Sequence, residues 1–131
     1  MNGLSQADLL AAIAKEPTLT NFGMGVYKPR EKSKEEYEIE LAKGRKELEE
    51  NLRQFQLCCE WLSLCEIRKT INEKIGSSYT LKHKVERYYK EYVTNGAFIA
   101  AVLHLGLRYK KNPINPNIHV ALSSKSLPQE K

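Results

Sequence analysis

The pattern of apolar and polar positions is clearest between Ser77 and Gly106, where a basic aromatic stretch leads through a polar joint into an apolar one. In the first part Leu81, Val85, Tyr88 and Tyr92 fall on one stripe at the helical period, with His83, Arg87 and Lys90 on the neighbouring stripe and Lys82 and Lys84 beside them. Thr94-Asn95-Gly96 combines a side-chain acceptor with residues that tolerate unusual backbone angles, so the spacing predicts the end of one helix and the cap of the next. From Ala97 to Leu105 the chain is apolar nearly all round, which predicts a buried helix.

Upstream, Ser5 ahead of Gln6 to Lys15 predicts a short capped helix that Pro17 ends. Between Thr18 and Lys32 the periodicity is lost. Gly23, Gly25 and Pro29 alternate with Phe22, Val26 and Tyr27, which predicts an irregular segment anchored across the body of the fold. Gly23-Met24-Gly25 does not read as a phosphate loop, because no strand is expected before it and no third glycine or Gly-Lys-Ser/Thr follows. Ser33 with Glu36 forms a capping box that opens the longest helical pattern, extending to Ile75. Leu41, Leu48, Phe55 and Leu62 repeat at seven along it, with Leu52 and Cys59 between, a seam of about three heptads bounded by Arg45 and Glu66. Gly44 weakens this helix by ~1 kcal/mol relative to alanine. Trp61 adjoins the seam and reads as core rather than as a platform for a base. Gly76 marks a reversal.

After Gly106, Leu107 to Lys110 and Ile118 to Leu122 read as two strands joined by a loop rich in Pro and Asn. The fold expected is mainly α: a small helical bundle with one long helix, a helix-turn-helix-like pair and a short C-terminal β-hairpin. It forms a single domain over 1–122, divided as 1–32, 33–75, 77–106 and 107–122, with 123–131 a flexible tail. Helix, joint, helix and hairpin follow the order of a winged helix-turn-helix. The likeness breaks down at the second helix, which offers Phe98, Ile99, Val102 and Leu103 where base-reading polar side chains belong.

A chain of 131 residues is one domain's worth and needs no covalent staple. Cys58, Cys59 and Cys65 lack metal-ligand spacing and are expected to be reduced and buried in a cytoplasmic protein without leader or membrane span. Charge changes the picture more. The formal net charge is +5, but residues 1–66 carry 9 Lys/Arg against 12 Asp/Glu, whereas residues 67–111 carry 10 against 3. This segregation points to nucleic acid or an acidic protein surface as partner, contacted by Lys82, His83, Lys84, Arg87, Lys90, Arg108, Lys110 and Lys111. The long-helix seam suggests a homodimer.

No catalytic constellation stands out. Ser77, Ser78, His83 and Asn95 are the only polar cluster around the joint, with no acidic partner beside them, and His83, His104 and His119 are each alone. The expectation is a protein that is not an enzyme and has no metal or cofactor. Tyr79, Tyr88, Tyr89, Tyr92 and Tyr109, interleaved with Lys and Arg, suit a nucleic-acid groove or a protein interface.

The stretch Ser78-Tyr79-Thr80-Leu81-Lys82-His83-Lys84-Val85-Glu86, with Tyr92 to Ala101 after it and Phe22 to Tyr27 before, resembles small uncharacterised accessory proteins of phages, plasmids and other mobile elements. That resemblance implies a context of gene regulation, DNA handling or blocking of host defence, and supplies no activity or site residues. The function expected is a nucleic-acid-binding accessory protein, the alternative being an anti-defence inhibitor or adaptor that meets a protein through the same face.

Overall fold

The computed structural model describes residues 3–26, 32–125 and 127–129. Its elements are α1 (Gln6–Ala14), β1 (Leu19–Thr20), β2 (Gly23–Met24), α2 (Lys34–Glu49), α3 (Leu52–Ser63), a 3-10 turn at Glu73–Ile75, α4 (Ser78–Tyr89), α5 (Asn95–Leu105), β3 (Tyr109–Lys111) and β4 (Ile118–Val120). The chain is mainly helical, with two small antiparallel strand pairs, β1–β2 and β3–β4.

The apolar run after the joint becomes the axis of the fold. Thr94 caps α5 by accepting from the Ala97 N–H at 3.1 Å, and Gly106 closes it in the left-handed conformation at φ 69°. Every residue from Asn95 to Leu103 is buried. Helices α1, α3 and α4 pack around it. Trp61 of α3 meets Phe98 edge to face at 6.3 Å, which puts Trp61 in the core as expected, and Leu48, Phe55, Leu62, Leu81 and Val85 fill the remaining space. A helix enclosed in this way cannot enter a nucleic-acid groove, so the helix-turn-helix order carries no recognition helix.

The helix expected over 33–75 is not continuous. Ser33 caps α2 by accepting from the Glu36 N–H, but the helix ends at Glu49 and restarts at Leu52. At the break the Asn51 amide donates to Thr94 Oγ1 at 3.1 Å and Gln54 Oε1 accepts from the Thr94 N–H at 2.7 Å. These bonds turn α3 onto α5, while α2 leaves across the N-terminal strands. The seven-residue repeat runs through the break because Leu48 and Leu52 stand on either side of it. Beyond Ser63 the chain is extended rather than helical, with Arg68 N–H donating to Ala121 O, Asn72 N–H to Val120 O, and Ile67 bridging Leu122. It covers the free edge of β4, so the C-terminal hairpin gains a third, irregular strand.

The segment expected to be irregular contains the pair β1–β2, and a strand does precede Gly23. Thr20, at its centre, is pinned between two helices that approach through glycines. A Cβ on Gly44 of α2 would stand 2.8 Å from Thr20 Cβ, and one on Gly96 of α5 would stand 1.9 Å from Thr20 O. Gly44 and Gly96 are therefore requirements of close approach. Two of the amides in Gly23-Met24-Gly25 are committed to carbonyls within the chain: Met24 N–H donates to Pro116 O at 2.8 Å and Gly25 N–H to Thr18 O at 2.7 Å. Of the expected anchors, Val26 is half-buried, Phe22 is 57% exposed at the turn, and Tyr27 lies outside the described residues. After the hairpin the described residues keep two contacts with the body of the fold. Ser123 N–H donates to Glu66 O, and Leu127 packs on the core.

Candidate nucleic-acid interface

The cations expected to act together are divided by the fold into three groups. Lys82 turns inward: it is only 5% exposed, its Nζ lies 3.3 Å from Glu86 Oε2, and it sits over the rings of Tyr92 and Tyr79 at 4.8 and 5.3 Å. His83 Nδ1 lies 2.6 Å from Glu86 Oε1, and Val93 N–H donates to Glu86 Oε2 at 3.2 Å. Burial disfavours charge on Glu86, but the Val93 amide, His83 and Lys82 outweigh it and hold the carboxyl below its ordinary value. Lys82 and His83 thus tie α4 to the connection before α5 and do not form an outward stripe with Arg87 and Lys90.

Lys84, Arg87 and Lys90 remain on the outer side of α4. Lys84 and Arg87 line a shallow depression with Ser124, Leu127 and Pro128, and Lys90 ends the helix in the left-handed region at φ 61°. The third group lies on the C-terminal hairpin. Side chains two apart on a strand share a face, and here the two faces have separate tasks. Tyr109 Oη and Lys111 Nζ both point to Glu16, the latter at 2.7 Å. Burial raises the Glu16 pKa, yet these two donors bring it below the ordinary value, and Tyr109 is in turn pushed up to about 12 by burial and by Glu16. Lys111 is therefore already paired with a carboxylate, although its side chain stays half exposed.

On the opposite face Lys110 stands beside its cross-strand neighbour His119. Arg108 shares this face, and its guanidinium donates to Lys69 O at 3.0 Å. Lys110 lines a groove of ≈ 490 Å³ with Arg68, Asn72, Glu73 and Lys74. The extended segment at 67–72 and the 3-10 turn after it therefore bring Arg68, Lys69 and Lys74 near Arg108 and Lys110, five cations against the one carboxylate of Glu73. None of Lys69, Lys74 and Lys110 has an ion-pair partner among the described residues. Arg68, Lys69 and Lys74 are the members that the apolar pattern of the sequence leaves in a polar turn. The signal that locates them is the extended pairing of that turn with β4, which local periodicity does not encode.

The polar residues around the joint do not converge. Ser78 Oγ accepts from Ile118 N–H at 3.0 Å, His83 meets Glu86, and Asn95 donates to Phe22 O and Asn117 Oδ1. The three thiols are buried, and burial pushes Cys59 and Cys65 up to about 12 and Cys58 in the same direction. Among the described residues no three His, Cys, Asp or Glu side chains gather as metal ligands, and no helix is long and apolar enough to cross a membrane. No family model matches the chain, and no curated protein or solved structure is detectably similar to it.

Proposed function

We propose that this chain is a non-enzymatic nucleic-acid-binding protein that holds phosphates on the outer face of its C-terminal hairpin. The context is the accessory role that the resemblance to mobile-element proteins implies. The observation carrying the reading is the groove lined by Arg68, Lys74 and Lys110, with Arg108 bonded beside it to the Lys69 carbonyl, cations brought together from two distant stretches and left almost uncompensated. Closely spaced cations repel one another, so such a cluster favours an anionic partner of matching extent. Recognition on this face is mainly through the nucleic-acid backbone, because the apolar helix α5, which could have read bases, is buried.

Charge reversal at Lys74 and Lys110 tests this. Lys74→Glu with Lys110→Glu should weaken binding to a short duplex or a single strand whatever its sequence, and should reduce the salt slope by about two units, one for each phosphate deprived of its lysine. The control makes the same change in net charge on α2, Lys34→Glu with Lys46→Glu, and should bind as the wild type does. Titration at two salt concentrations reads the result, with helicity checked for each variant. Wild-type protein that binds neither form at low salt, or a control that loses as much as the hairpin variant, would overturn the proposal.

A further inference from the structure

Beyond the tip of the C-terminal hairpin lies a cleft of ≈ 840 Å³, within the size range of pockets that hold small organic groups. Its walls are apolar and aromatic: Phe22 from the β1–β2 turn, Tyr79 from α4, and Ile114 and Pro113 from the β3–β4 loop. Phe22, Tyr79 and Ile114 are 57%, 52% and 92% exposed, a concentration of large apolar side chains in water that a monomer has no folding reason to keep.

One of these side chains, and the backbone that carries another, are held in place. The turn carrying Phe22 is fastened on every side, with Asn21 N–H donating to Gly44 O, Gly96 N–H to Asn21 O and the Asn95 amide to Phe22 O. Tyr79 is set perpendicular to the His83 ring at 4.6 Å, and His83 is itself fixed by Glu86. The Tyr79 ring and the backbone bearing Phe22 are thus pre-oriented, which removes part of the ordering cost of binding.

The cleft adjoins the cation cluster. Lys110 and Asn112, which lines the cleft, are two residues apart on the same face, and the strand ladder continues between them through Asn112 N–H donating to Asn117 O. Its far wall is Glu40 of the acidic helix α2, paired with Lys32. A ligand lying in the cleft therefore meets positive charge at the hairpin end, and flat apolar surface backed by a carboxylate at the other.

We infer that the form of nucleic acid bound is a single strand, its backbone following Lys74 and Lys110 and its unpaired bases stacking on Tyr79 and Phe22 in the cleft. This rests on the proposed function and adds the substrate class to it. Unpaired bases present free π-faces that a duplex keeps stacked, and each base stacked on an aromatic side chain gains affinity without sequence preference.

The test compares a mixed-sequence single strand of about 20 nucleotides, long enough to span the groove and the cleft together, with the duplex of the same sequence, and places 2-aminopurine in the strand to report stacking. Wild-type protein should bind the strand more tightly than the duplex and quench the probe. Tyr79→Ala with Phe22→Ala should lower strand affinity by about 5- to 150-fold per ring, abolish the quench and leave the salt slope and duplex affinity unchanged. Tyr79→Trp, which keeps a flat ring, should retain both affinity and quench and guards against a fold defect in the alanine variant. If the alanine variant binds and quenches like wild type while the Lys74/Lys110 reversal abolishes binding, stacking falls and the phosphate reading stands. Wild-type protein that binds neither form brings down both.

Discussion

The carboxylate of Glu86 gathers Lys82, His83 and the Val93 N–H, and that of Glu16 gathers Lys111 and Tyr109. Together they pair three of the expected binding residues within the chain, although only Lys82 is buried. Their cost and benefit depend on pH in a definite direction. Burial opposes ionisation in both, but the donors prevail and hold both folded-state pKa values below the ordinary 4.5. Just under that figure the unfolded chain binds more protons than the native one, so stability falls as pH falls. The contribution is whole above about pH 5 and drains away as acid titrates the native carboxylates. Glu16→Gln with Glu86→Gln should lower stability near neutrality by about 1–3 kcal/mol for each site and flatten its decline below pH ~4.5. Urea midpoints measured across that range provide the check. A decline as steep as in the wild type would assign acid sensitivity to other groups.

At the scale of elements, the short pair β1–β2 matters out of proportion to its length, since Thr20 is held between Gly44 of α2 and Gly96 of α5. A methyl group at Gly96 has nowhere to go, because Thr20 O is backbone and the Gly96 N–H already donates to Asn21 O at 3.0 Å. Gly96→Ala should cost about 3 kcal/mol, read as a lowered denaturation midpoint. An unchanged midpoint would mean the strands give way freely. Little of this junction was legible in the sequence. Helices α1 and α5 and the hairpin β3–β4 were, because a cap, an unbroken apolar run and a Pro/Asn loop act within a few residues of where they stand. The break at Asn51 depends on Thr94, and β1–β2 depends on two glycines, both distant along the chain. The candidate site divides the same way. Arg108 and Lys110 were found from the strand pattern, whereas Arg68, Lys69 and Lys74 join them only through pairing with β4. Lys82 reads as a solvated flank on a helical wheel, but its ammonium lies over the Tyr92 ring and beside Glu86.

Across the whole molecule, most of the seam that suggests a dimer is taken up within the chain, with Leu41 and Leu52 left half-buried. Leu48, Phe55 and Leu62 are each at most 1% exposed within the single chain, and the break between α2 and α3 removes the straight helix that a coiled coil needs. Light scattering at tens of micromolar should therefore give the mass of one chain. A dimer would require another surface, such as exposed Ile39 on α2. The strand pair also ties together parts of the chain that are made at different times: Asn95 reaches Phe22 across 73 positions, and Met24 bonds to Pro116 in the last loop. Loops that long are slow to close, so the contacts with α5 and the last loop form later than those the pair makes with α2. The turn bearing Phe22 should therefore be among the later parts of the molecule to settle, and a nascent chain lacking its final hairpin has no finished cleft.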